Sequence, residues 1–160
     1  MRKIEFARKP RAYLAAPLFN DMERDFNARI ESSMAPLIDV FLPQRDGGLL
    51  TKLVASGMPL EEARQNVFKK DIDAIASSDV LIAVLDGRTV DEGVSFELGY
   101  AYALGKLCIG LKTDDRVLLV TGDNPMVICS CHLIVSSIDE IVDVIRSPRE
   151  IAASGNRLAF

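Results

Sequence analysis

Asp79-Val80-Leu81-Ile82-Ala83-Val84-Leu85-Asp86 carries charge only at its two ends. Such an almost continuously apolar run is expected of a parallel strand covered on both faces, and so of the middle of a sheet. Upstream, Pro59 to Ser78 reads as a helix, with Pro59 in its first turn and Glu61 and Glu62 near the positive end of the dipole. Phe68, Ile72 and Ile75 give it an apolar stripe. Downstream, a loop through Asp91 leads into a second helix, and Leu107-Cys108-Ile109-Gly110-Leu111 forms the next strand.

Further out the alternation continues. Arg11 to Ala16 is a strand stopped by Pro17, and Asn20 or Asp21 can cap a helix running through Met22, Phe26, Ile30 and Met34. Leu37 to Leu42 is a strand ended by Pro43 and the turn-rich Gln44-Arg45-Asp46-Gly47-Gly48. A long loop holding Thr121 to Met126 precedes a fifth strand, His132 to Ser136, and Ser137 caps a last helix through Ile141, Val144 and Ile145. Strands alternating with helices predict a single α/β domain, doubly wound, with a five-stranded parallel sheet of order 2-1-3-4-5 and helices on both faces. The predicted domain spans 11–147, between tails at 1–10 and 148–160. In such a sheet the ligand sits beyond the carboxyl ends of the strands where the order reverses. Tyr13 to Phe19, Gln44 to Gly48 and Asp86 to Glu97 converge there.

Composition narrows the function. The chain has 160 residues, enough for one full core, and a net charge of −4 with a pI near 5.0 argues against a dedicated nucleic-acid binder. Arg2, Lys3, Arg8, Lys9 and Arg11 against Glu5 read as a solvated tail. No apolar run approaches a membrane span or a signal peptide, so a cytoplasmic location is expected. The cysteines Cys108, Cys129 and Cys131 form no C-x-x-C pair, and the single histidine, His132, has no second histidine with which to share a metal. Cys108 reads as core and His132 as a core or strand-end residue. No bound metal is expected. The glycines form no dinucleotide or NTP phosphate loop, and no cofactor is expected.

The carboxylates remain. In Asp91-Glu92-Gly93-Val94-Ser95-Phe96-Glu97-Leu98-Gly99-Tyr100-Ala101-Tyr102-Ala103-Leu104-Gly105, Glu97 is the only charge between Gly93 and Gly105. A helix apolar nearly all round is normally buried, and a buried carboxylate is costly unless paired, hydrogen-bonded or used. On the preceding helix, Asp73 lies beside Lys69 and Lys70 as on a solvated face, whereas Asp71 borders the apolar stripe between Val67 and Ala74. Asp71 is thus either a functional acid or an ordinary boundary aspartate. A buried glutamate can act as nucleophile toward an electron-poor carbon while a second acid protonates the leaving group.

Three segments carry a resemblance. They are Tyr13-Leu14-Ala15-Ala16-Pro17-Leu18-Phe19, then Lys70-Asp71-Ile72-Asp73-Ala74-Ile75 leading into Asp79 to Ala83, and Asp91-x-Gly93-x-x-x-Glu97-Leu98-Gly99-Tyr100-Ala101. In this order and spacing the chain resembles the nucleoside 2-deoxyribosyltransferase family from about Tyr13 to Ile145. The resemblance implies that Glu97 attacks the anomeric carbon of a 2'-deoxynucleoside, that Asp71 protonates the departing nucleobase, and that Tyr13 orients Glu97 by a hydrogen bond. It also implies that Asp91 holds sugar hydroxyls, that Gly93 lines the substrate pocket and that Phe19 lies against the base, with Gln44 and Asp46 in a base-side loop. In this family an asparagine and a methionine from a neighbouring subunit complete the pocket, which Asn124 and Met126 would supply in a homo-oligomer. The implied partners are a 2'-deoxynucleoside and a free nucleobase, in nucleotide salvage. Two alternatives stand beside this one: a deoxynucleoside 5'-monophosphate N-hydrolase on the same fold, and a non-catalytic nucleotide-sensing module. The related hydrolases carry a Ser-x-Arg-Gly-Gly phosphate loop after the first strand; here that stretch is Ala16-Pro17-Leu18-Phe19-Asn20.

Overall fold

The computed structural model describes residues 8–146. In chain order the elements are β1 (Arg11–Ala15), α1 (Asp21–Met34), β2 (Asp39–Phe41), one π-helical turn (Pro43–Gly47), α2 (Leu50–Ala55), α3 (Leu60–Ser77) and β3 (Val80–Val84). They continue with α4 (Glu92–Ala103), β4 (Leu107–Leu111), α5 (Pro125–Ile128), β5 (Leu133–Val135) and α6 (Ile138–Arg146). All five strands pair in parallel in the order β2-β1-β3-β4-β5, the predicted topology. Every residue of β3 is buried, as its uninterrupted apolar run requires.

Strand alternation divides the core into two layers. Ala12 and Leu14 of β1 and Val80, Ile82 and Val84 of β3 face α1 and α6, packing with Ile30, Met34 and Ile141. Tyr13, Ala15, Leu81 and Ala83 point the other way, toward Ile75 of α3 and Val94, Leu98 and Ala101 of α4. The same parity puts the Tyr13 side chain on the layer where Asp71 and Glu97 lie. Helix α1 starts at a capping box in which Asn20 accepts from the Glu23 N–H and Glu23 accepts from the Asn20 N–H.

Several expectations are corrected. Met22, in the first turn of α1, is 84% exposed, whereas Ile30 and Met34 further along the helix are fully buried. Phe68 is 58% exposed and leaves the α3 stripe to stand against Phe96, with ring centroids 6.2 Å apart. Helix α4 is not buried all round: Phe96, Tyr102 and the adjoining Leu104 are exposed. Helix α2 had no counterpart in the sequence reading, and α5 interrupts the predicted long loop. Arg8 and Lys9 are not a loose tail; they pair with Asp79 and Asp39 and fasten the start of the sheet, although exposed pairs like these contribute little each. Arg2, Lys3 and Glu5 lie outside the described residues. Cys108 is buried, and the backbone N–H of Cys108 donates to Nδ1 of His132 at the start of β5.

Gly110, in the middle of β4, admits the neighbouring layer. A Cβ there would come within 2.6 Å of a Leu85 methyl, 3.1 Å of the Cys131 sulfur and 3.2 Å of Ile134. Overpacking of this kind costs about 1–3 kcal/mol. Gly110→Ala is therefore expected to lower the urea unfolding midpoint by that amount of stability, and an unchanged midpoint would show that the layer yields freely.

Candidate active site

The site forms where β1 and β3 part at their carboxyl ends. Asp91 caps α4, its Oδ1 accepting from the Gly93 and Val94 N–H groups at 2.9 and 3.0 Å, which fixes where the helix begins. Glu97 follows in the second turn, on the side turned toward β1. There the Tyr13 hydroxyl donates to Glu97 Oε1 at 2.5 Å, joining residues 84 positions apart. Tyr13 is fully buried, and its ring stacks on Phe41 of β2 with centroids 5.5 Å apart. Packing thus holds the hydroxyl in place.

Two adjoining cavities, of about 310 and 230 Å³, meet at this point and share Leu50, Val67, Asp71, Gly93 and Glu97. The larger extends past Phe68 and Phe96 to Arg64; the smaller runs past Phe19 and Asp91. Together they are of the size that takes a small molecule, apolar with a few converging polar groups. Asp71, Glu97, Tyr13, Asp91, Gly93 and Phe19 are therefore brought together. Asp91 Oδ2 accepts no hydrogen bond among the described residues.

Gln44 and Asp46 are placed apart from both cavities. The Gln44 amide accepts from Asn27 Nδ2 and donates to the Arg24 carbonyl. Asp46 accepts from the Leu42 N–H and pairs with Arg45, whose guanidinium holds that carboxyl below its usual range. These side chains anchor the π-turn to α1 and β2. Asn124 caps α5 and lies beside Arg88, Thr89 and Ser95 rather than in either cavity, and Met126 is 79% exposed. Arg64, Val67 and Phe68 escaped the sequence reading as site residues, although their spacing before Asp71 repeats one helical face.

The electrostatics follow from burial. Desolvation pushes Glu97 up to about 8, opposed by the Tyr13 hydrogen bond and reinforced by the charges of Asp71 and Asp91. Desolvation likewise raises Asp71 to about 6, against the pull of the Tyr13 hydroxyl and the Lys70 ammonium. Burial, then the two carboxylates, push the Tyr13 phenol far above its ordinary value, so it stays a donor. Asp71 Oδ1 is buried with no hydrogen-bond partner. Between about pH 6 and about 8 the two acids hold one proton between them, and the titration belongs to the pair. Among the described residues no group of three or more His, Cys, Asp or Glu is arranged to hold a metal, and no helix is long and apolar enough to cross a membrane.

A raised acid has a stability signature. Unfolded, Glu97 ionises near 4.5, whereas folded it keeps its proton to about 8, so folding stability falls as pH rises through that window. Glu97→Gln retains an acceptor for Tyr13 and removes the titration. Its melting midpoint is expected to match the wild type at about pH 4 and to exceed it by a few degrees at about pH 9. An equal gap at both values would exclude titration as the cause.

Comparisons with known proteins place the chain and its fold. Residues 12–143 match the family model for nucleoside 2-deoxyribosyltransferase. The 2-deoxyribosyltransferase of the psychrotolerant bacterium Bacillus psychrosaccharolyticus superposes with a TM-score of 0.68 at 24% identity, covering 83% of this chain and 90% of that one. A 2-desoxiribosyltransferase from Leishmania mexicana gives 0.64 at 22% identity, covering 86% and 97%. The CMP N-glycosidase of Clostridium botulinum gives 0.52 at 20% identity, covering 85% and 98%. At these identities the solved structures establish the fold. No curated protein matches the chain. With the family model covering the sheet, both acids and Tyr13, the chain belongs to the nucleoside 2-deoxyribosyltransferase family.

Proposed function

We propose that the protein transfers 2-deoxyribose between nucleobases through a deoxyribosyl ester on Glu97. The observation that carries this reading is a half-buried carboxyl held by Tyr13 at 2.5 Å, in a cavity it shares with a second raised acid, Asp71. With Oε1 held by Tyr13, Oε2 of Glu97 attacks C1' of the sugar. The new C–O bond forms as the bond from C1' to the base nitrogen breaks; the electron pair leaves with the base, which takes the Asp71 proton. A second base then attacks C1' from the vacated side, gives its proton to Asp71 and releases Glu97. Two inversions give net retention.

The energetics suit the cycle. The oxocarbenium-like transition state is positive, so an ionised carboxylate in a desolvated cavity stabilises it more than it stabilises neutral substrate. In the empty site the shared proton rests mainly on Glu97, the acid raised further; the developing positive charge on the sugar favours the tautomer with the proton on Asp71. Asp91 would bind sugar hydroxyls through the uncommitted Oδ2, with the Gly93 backbone beside it, and Phe19 would cover the base. Asn124 and Met126, which line neither cavity of their own chain, would enter a neighbouring one. The exposed apolar residues Phe96, Tyr102 and Leu104 support such an assembly.

The second reading is hydrolysis of a deoxynucleoside 5'-monophosphate, favoured by the fold shared with the CMP N-glycosidase. A phosphate would need donors in place of the apolar Ala16-Pro17-Leu18-Phe19 segment, so the nucleoside is preferred. Deoxyinosine incubated with adenine is expected to yield deoxyadenosine, with far slower base release when adenine is left out; equal release in both reactions would establish hydrolysis. Glu97→Ala is expected to lower exchange by at least roughly 10³-fold with the fold intact, and near-native turnover would remove the nucleophile. Sedimentation is expected to show a dimer or larger assembly, whereas a fully active monomer would exclude a shared site.

A further inference from the structure

Asp71 owes its environment to a backbone contact. A Cβ built on Gly47 would lie 2.9 Å from Asp71 Oδ1 and 3.7 Å from the Cβ of Pro43, so the last residue of the π-turn already closes directly over the carboxyl. Gly47 is buried, and the oxygen it covers is the one with no hydrogen-bond partner. The turn has little freedom to retreat. Gln44 ties it to Asn27 and Arg24 of α1, Arg45 reaches the Val40 carbonyl and Glu31, and Asp46 accepts from the Leu42 N–H.

We infer that Gly47 is a positioning residue for proton transfer: the missing side chain lets the anchored turn seal Asp71 Oδ1 from water, and this keeps the Asp71 carboxyl available as an acid. The inference rests on the reading of Asp71 as proton donor. An ionised carboxylate oxygen sealed without a donor is disfavoured, so the neutral acid gains. The charged and titratable groups that face Asp71 are Tyr13 from β1, Glu97 from α4, Asp91 at the start of α4, and Lys70 and Arg64 from α3. From the turn itself, Arg45 and Asp46 are paired with each other. None of these supplies a hydrogen bond to Oδ1.

A methyl group at position 47 meets the far end of a side chain that can rotate, so the fold should survive and the carboxyl should move toward the cavity. Moved into water, Asp71 would titrate nearer the ordinary carboxylate value, and the tautomer with the proton on Asp71 would become scarcer. The test is Gly47→Ala, alone and combined with Asp71→Asn, measured by base exchange across pH for bases that leave readily and bases that leave poorly. The acidic limb of the kcat profile is expected to move down by about one pH unit, and kcat for poor leaving bases to fall roughly tenfold with little change in KM. In the Asp71→Asn background the substitution should add no further loss. An unmoved limb, a loss that persists in that background, or failure of Gly47→Ala to fold would each overturn the role of Gly47. Asp71→Asn that exchanges every base at the wild-type rate would instead overturn the acid reading itself, and this inference with it.

Discussion

The hydrogen bond from Tyr13 to Glu97 spans the two halves of the sheet's switch point and ties the lone acid of α4 to the first strand. Tyr13 reaches Glu97 only because β1 and β3 are neighbours while the helices that follow them diverge to opposite faces. The phenol cannot ionise in this setting, so it acts as a fixed donor that moderates, without cancelling, the cost of burying a carboxylate beside it. A site of this kind stores unfavourable electrostatics in the folded state, a cost the two-layer core must offset.

Around that bond the supporting residues do unequal work. Asp91 sets the start of α4 with one oxygen and leaves the other to the cavity, so a single side chain has both an architectural task and a place in the site. The π-turn is held by three polar side chains and brings the backbone of Gly47 against the Asp71 carboxyl. Gln44 and Asp46 flank the cavity in sequence, and their hydrogen bonds run to α1, β2 and Arg45.

Much of the fold was legible because its signals are periodic. Five apolar runs, the Asn20 cap and the alternation of elements carried the topology, and the lone charge on α4 marked Glu97. Helix α2 was not legible: Leu50, Leu53 and Val54 do fall at helical spacing, but over only six residues, with no side-chain cap and no fully buried side chain, that is too short a pattern to stand out from loop. Phe68 misled for the opposite reason. It fits an apolar stripe perfectly well, and only the location of the cavity turns it away from the core. The contact of Gly47 with Asp71 is invisible to pattern because it joins residues of two elements through an atom that is absent.

Phe96 belongs to two surfaces at once. It lines the larger cavity beside Glu97, and it is part of the exposed apolar face of α4. If a second copy covered that face, it would also dehydrate one wall of the cavity, and ligand affinity and self-association would be thermodynamically linked. Substrate would then tighten the assembly, and dilution of the enzyme would weaken its hold on substrate by the same factor.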